Sequence, residues 1–217
     1  MDIIRSTFSP NVERLPTINE INQVIIFGND HTSNFYDVRW ENSFGIREEY
    51  TKYNFCILSD EFIKSMKKFI YENNLTPISE LCAGSGWLSY WLMKYGIEIH
   101  STTDNGDWKS SQKEKHRFVK RRNAQKWIKN HPEVRMFLLS WPYMDNTAYE
   151  IWKNMIGGQY LFYIGEDNDG CNANEKFFKA VMNYEIKEWY SDDKFVSFNG
   201  IHDRPRIFKK GLSNGKN

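Results

Sequence analysis

The run with most chemistry in it is Glu80-Leu81-Cys82-Ala83-Gly84-Ser85-Gly86-Trp87-Leu88-Ser89. Two glycines around one residue let the backbone turn sharply and let a ligand approach with no Cβ in the way. A helix starting behind them would offer unpaired N–H groups. Asp104 stands 20 residues after Gly84, where a second strand should end. A carboxylate there can take both hydroxyls of a ribose. Two cofactors fit such a layout. A nicotinamide dinucleotide normally wants a third glycine, and that position holds Ser89. S-adenosylmethionine carries no phosphate and needs none, and an acid such as Glu80 can orient its ammonium. S-adenosylmethionine is therefore the expected cofactor, with a dinucleotide or no cofactor as the alternatives.

Two further runs carry polar groups at expected strand ends. The first is Leu138-Leu139-Ser140-Trp141-Pro142-Tyr143. It resembles the [D/N/S]-P-P-[Y/F/W] loop of amino-group N-methyltransferases. Ser140, Pro142 and Tyr143 match and Trp141 departs. The resemblance implies polar acceptors for a target amine and an aromatic face for its ring. The plainer alternative is a strand-terminating turn with Trp141 packed on cofactor or core. The second run is Tyr163-Ile164-Gly165-Glu166-Asp167-Asn168-Asp169-Gly170-Cys171. Its acids could position a cationic acceptor or take a proton, with Glu166 the leading candidate. A solvated loop is the alternative, and the spacing matches no metal motif. In Gly200-Ile201-His202-Asp203-Arg204, His202 could face the pocket with Asp203 orienting it; such a pair is more often structural.

These runs need elements to hold them. Ser59 can cap a helix with Asp60 and Glu61 in its first turn. Phe62, Ile63, Met66, Phe69 and Ile70 then share one face. Residues 78–83 read as a strand. Residues 87–95 read as a helix apolar nearly all round, hence buried on both sides, and 97–103 as a strand. Ser111 to Glu114 has capping-box spacing and predicts a helix to about Asn130. A strand over 134–139, a helix over 148–155, a strand over 159–165 and a helix over 174–183 follow. Residues 24–27 could form a strand, and 185–209 two or three more. Alternating strands and helices predict an α/β fold with a parallel sheet covered on both faces. Ligands bind such sheets beyond the carboxyl strand ends.

Composition narrows the function classes. The chain has 217 residues, with Lys+Arg 29 against Asp+Glu 28. That size suits one domain with a full core. A net charge of +1 gives no bulk attraction to nucleic acid or membrane, so any such attraction must be local. Residues 109–129 are the local exception: nine Lys/Arg against the single acid Glu114, with Trp127 nearby. This basic helix is a candidate phosphate-binding face, although a solvated surface is the commoner meaning. Cys56, Cys82 and Cys171 are far apart and form no CxxC pair, so neither a disulfide framework nor a zinc site is expected. No apolar run is long enough to span a membrane, and the polar start lacks a signal core. A cytoplasmic protein is expected. Aromatics are 16%, enough to serve a stacking pocket or a protein interface as well as the core.

Taken together, the motifs are similar to the class I, Rossmann-like S-adenosylmethionine-dependent methyltransferases. The nearer resemblance is to an uncharacterised branch, carried by Tyr53-Asn54-Phe55-Cys56-Ile57-Leu58-Ser59, Glu80 to Gly86, Ser140-Trp141-Pro142-Tyr143, Tyr163-Ile164-Gly165-Glu166 with Gly170-Cys171, and Gly200-Ile201-His202-Asp203. Leu58 and Tyr143 stand where that branch has proline. The resemblance implies a doubly wound, mostly parallel seven-stranded sheet with an antiparallel last strand. The expected organisation is an extension over 1–58 packing on the cofactor cleft, a methyltransferase-like domain over 59–210, and a tail over 211–217. Candidate cofactor contacts are Tyr53, Glu80, Cys82, Ala83, Gly84, Gly86, Asp104, Asn105 and Ser140. Candidate catalytic residues are Ser140, Trp141, Pro142, Tyr143 and Glu166. The expected activity is methyl transfer to an unidentified acceptor. A nucleic-acid amino-group methyltransferase and a non-catalytic binding or assembly protein of the same fold are the alternatives.

Overall fold

A computed structural model of the chain describes residues 13–25, 39–103, 118–168, 170–186 and 193–212. Six strands make one sheet: β1 (Ile78–Leu81), β2 (Ile99–Thr103), β3 (Lys120–Arg121), β4 (Met136–Ser140), β5 (Tyr160–Gly165) and β6 (Arg204–Lys209). Their order is β3-β2-β1-β4-β5-β6. All neighbouring pairs are parallel except β5 with β6.

Alternation along the strands builds two cores. Met136 and Leu138 of β4, with Phe162 and Ile164 of β5, face one side. Phe137, Leu139, Leu161 and Tyr163 face the other. On the first side pack α3 (Asp60–Glu72) and α4 (Trp87–Lys94). On the second pack α5 (Ala124–Asn130), α6 (Thr147–Asn154) and α7 (Glu175–Val181). The result is a three-layer α/β/α sandwich whose central strands β1, β4 and β5 are buried on both faces, as parallel sheets require.

The helices start where their caps dictate. The Ser59 side chain accepts from the Phe62 amide, and Asp60 and Glu61 stand in the first turn of α3. The five apolar residues expected on its inner face are all buried. A third core joins the N-terminal part to the end of the chain. α1 (Ile18–Asn22) and α2 (Arg39–Tyr50) contribute Ile21, Ile46 and Tyr50. Ile57, Val196, Phe198 and Ile201 complete the cluster, and Trp141 packs against it from the end of β4.

Four expectations need correction. The sheet has six strands among the described residues, where seven were expected. Residues 193–203 are rich enough in apolar side chains to suggest strands. Val196, Phe198 and Ile201 instead leave the sheet to fill the third core. Among the described residues of the expected strand region, β6, the isolated Glu185–Phe208 bridge and a bridge residue at Phe198 form. A continuous helix from 111 to 130 does not form. Residues 111–117 lie outside the described residues; then Phe118 and Val119 pack on the loop at Gly86 and β3 pairs with β2. The helix restarts at Asn123, whose side chain accepts from the Lys126 amide. Val24 and Ile25 lie in a turn, both amides bonding back to the Ile21 carbonyl; Ile26 and Phe27, the rest of that expected strand, lie outside the described residues.

Candidate functional site

Strand order reverses between β1 and β4, since β2 and β3 lie to one side and β5 and β6 to the other. The loops leaving two such strands diverge, and the crevice between them is where open α/β sheets bind ligands. The glycine loop at 82–86 leaves β1 here and the Ser140-Trp141-Pro142 turn leaves β4. Each strand is followed at once by a non-glycine residue in the left-handed region: Cys82 at φ 54° and Trp141 at φ 49°. Such residues carry a cost of order 1 kcal/mol each and concentrate at functional sites.

The loop after β1 is pinned on three sides. The Ala83 amide donates to the Thr102 carbonyl of β2 at 2.9 Å, and the Gly86 amide to the Ala83 carbonyl. The Ser85 hydroxyl donates to the Tyr53 carbonyl, tying the loop to the segment before α3. Tyr53 itself leans on Trp87, with ring centroids 6.2 Å apart. Gly86 is required twice over. Its φ is +83°, and a Cβ built there would lie 2.3 Å from Val119 Cγ2. The space beside Gly86 thus belongs to the chain itself. Ala83 and Gly84, by contrast, are partly exposed.

Glu80 turns inward. Its Oε2 accepts from both the amide and the hydroxyl of Ser89, and the Ser101 hydroxyl donates to that of Ser89. β1, α4 and β2 are laced together by this chain of polar groups. Burial pushes the Glu80 carboxyl up to about 7 against the pull of the Ser89 bonds. The consequence for ligand choice is direct. At the start of α4 the Trp87 amide meets the Ser85 hydroxyl and the Ser89 amide meets Glu80. A pyrophosphate would find those donors taken and a carboxyl already there. Those two amides are therefore already bonded within the chain and not free for a phosphate.

Beyond β4, Ser140 lies 3.6 Å from the Cys56 sulfur, measured from its hydroxyl oxygen. Cys56 is fully buried and its thiol is pushed up to about 12 by burial. Trp141 spans the region. Its ring stacks on Phe55 at 5.4 Å, and its Nε1 donates to Asp203 Oδ2 at 2.9 Å. Its amide donates to the Ile164 carbonyl. Pro142 is buried and Tyr143 is exposed.

Glu166 is engaged by the chain rather than facing an open space. Its Oε2 accepts from the Cys171 amide at 2.7 Å and its Oε1 from the His202 amide. Gly170 allows this, since a Cβ there would lie 2.2 Å from Glu166 Cβ. In the following segment the roles expected for His202 and Asp203 are exchanged. His202 is exposed, while Asp203 is 5% exposed. Burial pushes the Asp203 carboxyl up to about 6. Residue 203 immediately precedes β6, and Arg204 pairs with Gly165 at the end of β5. Asp203 therefore sits at the carboxyl end of the parallel strands, on the crevice side of the sheet.

The structure thus brings Tyr53, the 82–86 loop, Ser140 and Trp141 to one end of the sheet. Asp104 and Asn105 lie outside the described residues. Sequence reasoning passed over Cys56 and Phe55 as site neighbours, although both fall in the Tyr53–Ser59 run. Of the basic residues, Lys120, Arg121, Arg122, Lys126 and Lys129 are exposed. Trp127 is not a free stacking platform, because its Nε1 donates to Ser79 and its ring lies 3.7 Å from that of His131. Among the described residues no acid, His and Cys cluster could hold a metal, and no helix is long and apolar enough to cross a membrane.

The fold is an open, doubly wound α/β sandwich with a crevice at the switch point. No family model matches the chain, and no curated protein does. Solved structures similar to it include human N-acetylserotonin methyltransferase in complex with S-adenosylmethionine, at 12% identity and TM-score 0.38, over 70% of this chain and 55% of that one. A putative caffeoyl-CoA O-methyltransferase from Staphylococcus aureus is similar at 16% identity and TM-score 0.36, over 55% of this chain and 64% of that one. A S-adenosylmethionine-dependent methyltransferase from Clostridium acetobutylicum is similar at 11% identity and TM-score 0.37, over 80% and 82%. The chain thus spans less than two thirds of the first two.

Proposed function

We propose that the protein is a S-adenosylmethionine-dependent methyltransferase of the class I, Rossmann-like type. The observation that carries this reading is the switch-point crevice, with, on one side, a glycine loop whose following Trp87 and Ser89 amides are already bonded and, on the other, the Ser140–Trp141 turn. Ala83 and Gly84 would hold the adenosyl thioether from the β1 side, and Ser140 from the β4 side. Tyr53 would close over it from the preceding segment. Bound there, the cofactor supplies an activated methyl group. The chain's own contribution is orientation: it fixes the acceptor against that group, which is where most of the rate enhancement in such a displacement arises. Glu80 serves this reading as the clamp that holds the loop to α4, and Glu166 as the organiser of the loop after β5.

Calorimetric titration with S-adenosylhomocysteine tests the reading. Wild-type protein is expected to bind one equivalent. Gly84→Val is expected to abolish binding while the far-ultraviolet circular dichroism stays unchanged, because Gly84 sits at φ 54° where a β-branched residue is strained. Absence of heat and of any thermal shift at millimolar ligand would remove the proposal.

A further inference from the structure

Among the described residues, Asp203 is an acid at the carboxyl end of the sheet with one carboxyl oxygen left unpartnered. Its Oδ2 is anchored by the Trp141 indole. Its Oδ1 is buried and has no hydrogen-bond partner. A buried carboxylate oxygen without a partner is costly and is rarely left so in a finished site. The neighbouring cations do not answer it. Arg204 pairs with Asp167, and Arg206 pairs with Asp167 and Glu185. Among the described residues no cation lies within ion-pair distance of Asp203. The groups around it add no positive charge: Glu166, Cys56 and Tyr163 are its titratable neighbours, and the Ser197 hydroxyl, which donates to its backbone carbonyl at 3.0 Å, also pulls its carboxyl down. Charge complementarity therefore asks for a donor that arrives with the ligand. Ser140 and Trp141 on the adjoining turn are partly buried.

We infer that Asp203 is the acceptor-binding residue and that the methyl acceptor presents an amine to its free oxygen. Trp141 is the positioning residue that aims the carboxyl, held in turn by its stack on Phe55 and its left-handed backbone. This rests on the methyltransferase reading for what the amine is bound for, but not for the binding itself. An ammonium or neutral amine satisfies Oδ1, an alcohol does so more weakly, and a carboxylate is repelled.

The test is ligand-observed NMR and calorimetry on the full chain, with and without S-adenosylhomocysteine. The probes are small aromatic amines, each matched to its alcohol and its carboxylic acid. Wild-type protein is expected to prefer amines over their matched alcohols by about tenfold or more. Asp203→Asn keeps an oxygen for Trp141 but turns an amide N–H₂ towards the ligand, and should erase that preference. The wild-type comparison needs no variant, so a poorly folded Asn variant leaves the inference testable. Equal affinity of amines and alcohols for wild type, no amine binding at all, or an unchanged preference in Asp203→Asn would each overturn it. Failure here with S-adenosylhomocysteine still bound removes only the acceptor assignment. Amine preference without S-adenosylhomocysteine binding keeps Asp203 as an amine site and removes the methyltransferase reading.

Discussion

At the scale of residues, Glu80 shows how a side chain expected at the ligand can serve the frame instead. A carboxyl beside a glycine loop reads as a partner for an ammonium. Its oxygen is in fact taken by Ser89, the residue that stands where a third glycine was looked for. Between pH 4.5 and about 7 the folded chain holds a proton on Glu80 that the unfolded chain has released. Stability therefore falls as pH rises through that window. The full effect, 2.5 pH units at 1.36 kcal/mol each, is on the order of 3 kcal/mol. Asp203 adds a slope of the same sign between 3.8 and about 6. Glu80→Gln keeps an oxygen for Ser89 and has no charge to bury. Urea unfolding from pH 5 to 8 should show the slope above pH 6 flattened, with the variant more stable than wild type at pH 8. Parallel profiles for the two proteins would mean that Glu80 does not carry the titration.

At the scale of elements, what could be read ahead was what local rules decide. The α3 face, the β4 and β5 strands and the loop glycines followed from periodicity, caps and turn chemistry. The stretch before α5 did not. Its expected helix rested on a capping pattern at Ser111, while Phe118 and Val119 are drawn to Gly86 and Lys120–Arg121 to β2. Those are tertiary demands, and no local pattern carries them. The same contact makes a prediction. Gly86→Ala must shift either Val119 or the loop and must hold a Cβ at φ +83°. A loss of about 2 kcal/mol or more is expected in urea unfolding. A loss within a few tenths would show that segment 118–119 is not seated there. Likewise the region after α7 looked strand-like because its apolar residues are those of strands. Their partner is the third core rather than the sheet edge, and among the described residues a single strand results.

At the scale of the whole molecule, the position of the switch-point crevice was legible and the side chains around it were not. Strand ends can be placed from element order, and the switch point follows from topology. Which carboxylate faces the crevice depends on side-chain direction. Glu166 and His202 carried the clearer sequence signals, yet the backbone amides of Cys171 and His202 occupy the one and solvent surrounds the other. Asp203 became visible only once Trp141 was seen to point at it. The proposed function requires the crevice between β1 and β4 to hold an adenosyl thioether. Ultraviolet photolabelling with methyl-tritiated S-adenosylmethionine, followed by peptide mapping, tests that location most directly. The label should fall on peptides carrying residues 82–86 and 140–143 and should be displaced by excess S-adenosylhomocysteine. Label confined to other peptides, or label that S-adenosylhomocysteine does not displace, would contradict the account.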